Sequence, residues 1–248
     1  MKRKRLLLAA LAVSGVLLLA GFQAVKKAAA PADPLIAGFQ KSTVASVADA
    51  VDQVVGQRGF LSHDMRPRIP GRVVGRALTV LIKPAPPEKA TPALSTGQST
   101  SMIDNSNPGE VGVIVIENGL DVAGIGGLMS TAAKARGMAG MVVDGGVRDL
   151  AEIRALGLPV YARSVIPSST VGRFAGVAKN VPVQCAGVTV APGDIIIADE
   201  DGVVRVPKER AAEVLKRAQE IDERESKMVP YIKQFKALSK AVEVFNRI

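Results

Sequence analysis

Apolar positions along this chain switch between two periods. From Leu35 to about Val55 they recur at helical spacing, with Ser46 and Asp49 on the other side, which predicts a helix. Arg58 to Pro70 is rich in glycine, proline and charge and predicts a loop. Arg72 to Ile82 is β-branched and aliphatic, predicting a strand that ends at Lys83-Pro84-Ala85-Pro86-Pro87. Residues 88–109 are polar and weakly patterned. Val111 to Glu117 predicts a second strand after the turn Asn107-Pro108-Gly109-Glu110.

The middle of the chain alternates. Gly124 to Gly127 predicts a tight turn, Leu128 to Arg136 a helix stopped by Gly137, and Met138 to Val143 a strand. Asp149 to Leu156 predicts a short helix and Leu158 to Ala162 a short strand. Strands follow at Val181–Val190, Asp194–Ala198 and Val203–Val206, the last after the acidic turn Asp199-Glu200-Asp201-Gly202. A charged helix is predicted from Lys208 to about Lys227, broken at Pro230. Ile232, Phe235, Leu238, Val242 and Phe245 then predict a helical tail packed on the body or on a neighbouring subunit. Strands alternating with helices give an α/β domain, and the strands after 181 predict a partly antiparallel sheet.

Composition narrows the chemistry. A chain of 248 residues can bury a real core, but aromatic residues are only 3%, so aliphatic side chains must fill it. One cysteine, Cys185, excludes an intrachain disulfide and predicts a buried thiol. One histidine, His63, argues against a hydrolase triad. The net charge is +9, but residues 1–27 hold six of the basic residues and no acid, which leaves +3 on the remainder. No basic stripe interleaved with aromatics follows, so no nucleic-acid partner is expected. The cluster Lys2 to Arg5 precedes an apolar run from Leu6 to about Phe22. That run predicts an export signal or a short anchor, hence an exported (periplasmic) or membrane-anchored protein touching the membrane only through this segment. The predicted division is 1–32 signal or anchor with linker, 33–229 domain, 230–248 helical tail.

The chemistry-bearing stretch is Gly140-Met141-Val142-Val143-Asp144-Gly145-Gly146-Val147-Arg148-Asp149. A buried strand here delivers a cation and a carboxylate to a sheet end. Upstream, a helix opening at Gly127-Leu128 offers unpaired N–H groups, and Gly124, Gly126 and Gly127 let a ligand approach the backbone. Arg148 can grip a carboxylate bidentately, and Asp149 can hold a divalent cation with waters in the remaining positions. Singly, an Arg–Asp pair is usually a surface ion pair and a Gly-rich turn only a turn. In order, they suit a small anionic keto acid beside a metal that stabilises charge when a bond to C3 breaks.

Gly126-Gly127-Leu128-Met129-Ser130-Thr131-Ala132-Ala133-Lys134-Ala135-Arg136-Gly137, then Val142 to Asp149, then Gly157-Leu158-Pro159-Val160, resembles the RraA-like family. That family includes class II 4-hydroxy-4-methyl-2-oxoglutarate aldolases and the regulators of ribonuclease activity. The resemblance covers about residues 35–228. It implies an αββα sandwich with mixed sheets, assembled as a homotrimer or hexamer with sites between subunits. It implies that Arg148 binds the keto-acid carboxylate, that Asp149 ligates Mg²⁺ or Mn²⁺, and that Gly126, Leu128 and Met129 contact substrate. It further implies catalytic acids from a neighbouring subunit, mapping to Asp49 and to Glu225, with Glu223 as the alternative.

One departure stands out. The aldolases carry an acidic residue twenty-one positions before the arginine, and here that position is Gly127. Asp121 and Glu117 lie upstream as possible replacements. The expected function is a divalent-metal-dependent lyase on pyruvate-derived keto acids, by retro-aldol cleavage or oxaloacetate decarboxylation. The alternative is a non-catalytic keto-acid-binding or protein-interaction module.

Overall fold

The computed structural model describes residues 33–246, so the apolar run at Leu6–Phe22 lies outside the described residues. Among the described residues no helix is long and apolar enough to cross a membrane.

The spine is β2, Val73–Pro84, which belongs to two sheet halves at once. Its first residues pair antiparallel with β10 (Ile195–Asp199), which pairs antiparallel with β11 (Gly202–Val206). Its later residues run parallel to β3 (Val111–Ile116) and antiparallel to β7 (Phe174–Lys179). Beyond β3 come β5 (Gly140–Val147) and β6 (Val160–Val165), both parallel, and then β1 (Arg66–Ile69), antiparallel at the edge. Short β4 (Ala123–Ile125) joins the end of β5. A separate hairpin pairs β8 (Val183–Cys185) with β9 (Val188–Val190).

Side-chain alternation builds the layers. On β10, Ile195 and Ile197 face α1 (Pro34–Phe39), α2 (Val44–Val55) and α6 (Ala211–Phe235), where Val47, Val51, Val214 and Ile221 meet them. Ile196 and Ala198 face inward, against Val113, Val142, Tyr161 and the hairpin. On β3, Ile114 and Ile116 point the other way, toward α3 (Pro92–Asp104), α4 (Gly127–Ala135) and α5 (Leu150–Leu156). The result is helices, sheet, sheet, helices: the αββα arrangement with mixed strand directions. Each such Val or Ile contributes roughly 1.5–3 kcal/mol by leaving water. Cys185 is buried in the inter-sheet layer, and burial pushes its thiol well above the ordinary value.

Several expectations change. The 35–55 helix is two helices, α1 capped by the Asp33 side chain and α2 by that of Thr43. The 58–70 loop contains β1. The polar 88–109 stretch contains α3, which buries Met102 and Ile103 together with Ser95, whose single hydroxyl proton is within reach of Phe174 O at 2.6 Å and Ala90 O at 2.9 Å. The 181–190 strand is a hairpin turning at Ala186-Gly187, both at positive φ. Pro230 does not break the charged helix, because α6 runs through it to Phe235. The tail is α7 (Leu238–Phe245), folded back on α6 with Tyr231 and Phe245 edge to face at 5.1 Å.

Candidate active site

A cleft of about 450 Å³ opens between α3, the start of α4 and the start of α5. Its charged end is made by β5. This strand is buried along its whole length, and it releases the chain into solvent at Arg148 and Asp149. Asp149 sits in the left-handed region, φ 59° and ψ 39°, immediately before α5 at its N-cap position. A non-glycine residue held there is strained, and such strain gathers at functional positions.

The opposing wall is the opening of α4. Gly126 is extended and supplies no capping side chain, so the first N–H groups of the helix need an outside acceptor. The Gly127 N–H donates to Asp149 Oδ2 at 2.9 Å. The same oxygen lies 3.6 Å from Arg148 Nε. Asp149 is thereby fixed by a helix N-terminus and a guanidinium, both of which favour a carboxylate. The Arg148 guanidinium also reaches Pro167 O at 3.5 Å and remains about two-fifths exposed, open to a ligand anion.

The structure brings together Gly126, Leu128, Met129, Arg148 and Asp149 from the expected set, all on this cleft. Asp49 on α2 and Glu225 on α6 belong to the other helical layer and do not line the cleft of their own chain. The candidate replacements upstream are also elsewhere: Glu117 pairs with Lys83 at 2.9 Å, and neither it nor Asp121 lines the cleft. His63 is exposed and does not line the cleft.

Sequence reasoning missed Thr96, Thr100, Ile103 and Asp104, since the helix carrying them has almost no apolar stripe. It also missed Glu152. The signal was available, because Glu152 follows Asp149 by three residues on a helix that begins there, which puts both on one face.

Asp144, inside the conspicuous strand, is not a cleft residue. It faces the inter-sheet layer, where Oδ1 accepts from Arg163 at 3.0 Å and Oδ2 from the Ala186 N–H at 2.5 Å. Arg163 also pairs with Asp64 at 2.8 Å. The hydrogen bond from Arg163 holds the Asp64 carboxyl below its usual range, against the opposing effect of burial.

The lining donors are oxygens. Carboxylates and hydroxyls without imidazole or thiolate suit a hard cation such as Mg²⁺ or Mn²⁺. Among the described residues no cluster of three or more His, Cys, Asp or Glu could hold a metal ion. A cation here would therefore rest on one or two carboxylates, with waters completing its shell. On those terms the residues fit.

The chain is 37% identical over 114 residues to a Halalkalibacterium halodurans protein named "Putative 4-hydroxy-4-methyl-2-oxoglutarate aldolase", covering 46% of this chain and 53% of that one. The chain thus spans about half the length of the curated relatives it matches. A solved structure of an uncharacterised Pseudomonas syringae protein superposes with a TM-score of 0.74 at 29% identity, covering 85% of this chain and 97% of that one. Streptomyces coelicolor RraAS2, described as an unusual member of the RNase ES inhibitor RraA family, gives 0.69 at 26% identity, covering 79% and 96%. The RraA-like family profile, described as Aldolase/RraA, matches residues 44–205. With that profile spanning well over half of its length, this chain belongs to the RraA-like family.

Proposed function

We propose that this protein is a divalent-metal-dependent lyase that cleaves a carbon–carbon bond in pyruvate-derived 2-keto acids, by retro-aldol cleavage of 4-hydroxy-4-methyl-2-oxoglutarate-like substrates, oxaloacetate decarboxylation, or both. The observation that carries it is Arg148 and Asp149 side by side on a cleft whose facing wall is the glycine-rich start of α4. Aldolase names among the relatives support a lyase role.

Arg148 binds the C1 carboxylate by charge-assisted hydrogen bonds and fixes the substrate's direction. The backbone at Leu128 and Met129 presents N–H groups and a positive helix end to the substrate's oxygens. Asp149, held by Gly127, would be the residue that carries Mg²⁺ or Mn²⁺. Bound there, the cation supplies Lewis-acid stabilisation of the negative charge gathering on the keto oxygen as the bond to C3 breaks. In a homotrimer or hexamer, Asp49 and Glu225 of a neighbouring copy complete the acid–base set. The apolar run at Leu6–Phe22 supports a domain held outside the cytoplasm, exported or anchored.

The full chain with Mg²⁺ should release pyruvate from oxaloacetate or from 4-hydroxy-4-methyl-2-oxoglutarate, and EDTA should abolish it. Arg148→Ala should raise KM strongly; an unchanged kcat/KM would remove Arg148 from the site.

A second reading, a binding module without turnover, is favoured by Gly127 in the place of the family's acidic residue. Calorimetric binding of pyruvate with Mg²⁺ in the absence of any cleavage would select it.

A further inference from the structure

Gly127 lies against the carboxylate of Glu152. A Cβ built on it would lie 2.0 Å from Glu152 Oε2. That is far inside contact distance, so the carboxylate of Glu152 already fills the space that a side chain at 127 would enter. The same hypothetical Cβ lies 3.6 Å from Asp149 Cβ, and one on Gly126 lies 2.6 Å from Asp149 Oδ2. Two carboxylates from one face of α5 therefore bracket the glycine pair that opens α4.

Glu152 is exposed and lines the cleft with Arg148 and Asp149. Among the described residues its carboxylate has no hydrogen-bond or ion-pair partner, unlike that of Glu117, which Lys83 holds. A carboxylate placed against a buried glycine, beside a second carboxylate and with no cation of its own, is the arrangement a bound divalent ion and its waters would use.

We propose that Glu152 is the second acidic group of this site, reaching from α5 the point that a side chain at position 127 would reach from α4. The proposal rests on the metal-dependent reading of the cleft and assigns Glu152 a positioning role toward the cation's water shell. An acidic side chain at 127 would displace the Glu152 carboxylate from its present place, so the two acids would reach the same point in turn.

Mn²⁺ binding to the full chain, followed by calorimetry and by the electron paramagnetic resonance spectrum of the bound ion, provides the test. Glu152→Ala should weaken Mn²⁺ binding about 10–100-fold, the usual cost of losing an outer-shell partner, with the melting temperature unchanged. The double variant Glu152→Ala/Gly127→Asp clears the overlap and should restore affinity to within a few-fold of the starting protein, along with its spectrum. If Glu152→Ala binds Mn²⁺ as before while Asp149→Asn does not, the role of Glu152 is overturned and the metal site stands. Failure of the double variant to regain affinity overturns the equivalence of the two positions. A starting protein that takes up no Mn²⁺ overturns both the proposal and the reading beneath it.

Discussion

The Gly127 N–H donates to Asp149 Oδ2 at 2.9 Å, and this bond ties the start of α4 to the start of α5. It lets the side chain of Asp149 serve as the missing cap of one helix while its backbone leads into the next. Asn at 149 can still accept through its amide oxygen and tolerates the left-handed backbone. Asp149→Asn should therefore keep stability within about 0.5 kcal/mol. It should lower keto-acid cleavage roughly 100–1,000-fold, the usual cost of removing one preorganised electrostatic group. Thermal melting and steady-state rates on the same preparation check both halves.

Gly127→Asp alone tests whether the chain is an enzyme simply lacking one acid. Because Asp at 127 would displace the Glu152 carboxylate and exchange one acid for another, the single substitution should not raise the cleavage rate. A steep rise would mean that the native site lacks its second acid.

Asp144 draws the eye in sequence and should behave as a structural residue. Its carboxylate is nearly buried and satisfies both Arg163 and the hairpin amide at Ala186. Asp144→Ala leaves those donors short of a partner and should cost about 3 kcal/mol, the low end for a broken buried pair because Asp64 still holds Arg163. Denaturant unfolding measures the loss. Cleavage activity well below the melting temperature should persist.

Asp64 gives a pH signature. Its folded carboxyl titrates below the unfolded value because Arg163 donates to it. A depressed folded value means that the stabilisation is complete above the unfolded value, near pH 4, and is lost as pH falls through the folded value. Asp64→Asn should be less stable than the native chain at neutral pH, and the two melting curves should converge as pH falls toward 2.

Pro230 lies exposed inside α6, where proline removes one backbone hydrogen bond and crowds the preceding turn. Pro230→Ala should stabilise the end of this helix locally, by up to about 3 kcal/mol. Hydrogen exchange should slow over residues 226–235 while the core strands stay unchanged.

The strands were legible because they are buried on both faces. Val111 to Ile116 and Gly140 to Val143 are continuous apolar runs, as central parallel strands must be. Arg148 and Asp149 were legible because glycines and a strand end precede them, and α2, α4, α5 and the first turns of α6 follow ordinary helical spacing. Helix α3 was not legible, since its buried face mixes Ser95 and Ser99 with Met102 and Ile103 and so makes almost no apolar stripe. Strand β7 is half exposed on both faces and carries no alternation. Pro230 misled because helix end rules are local, whereas packing against α7 sustains α6 beyond it.

The sequence alone determined an α/β domain with a partly antiparallel sheet, the buried thiol and the cation and carboxylate at the end of β5, because burial and chain order fix these without knowledge of neighbours; the αββα sandwich was implied only by the family resemblance. The resemblance carried by the same residues pointed to the family. Only the tertiary structure decided which acids share the cleft. It removed Asp121 and Glu117, turned Asp144 inward and set Glu152 against Gly127. Those outcomes depend on distances between elements whose approach is set by packing of the whole core, and no local pattern records them.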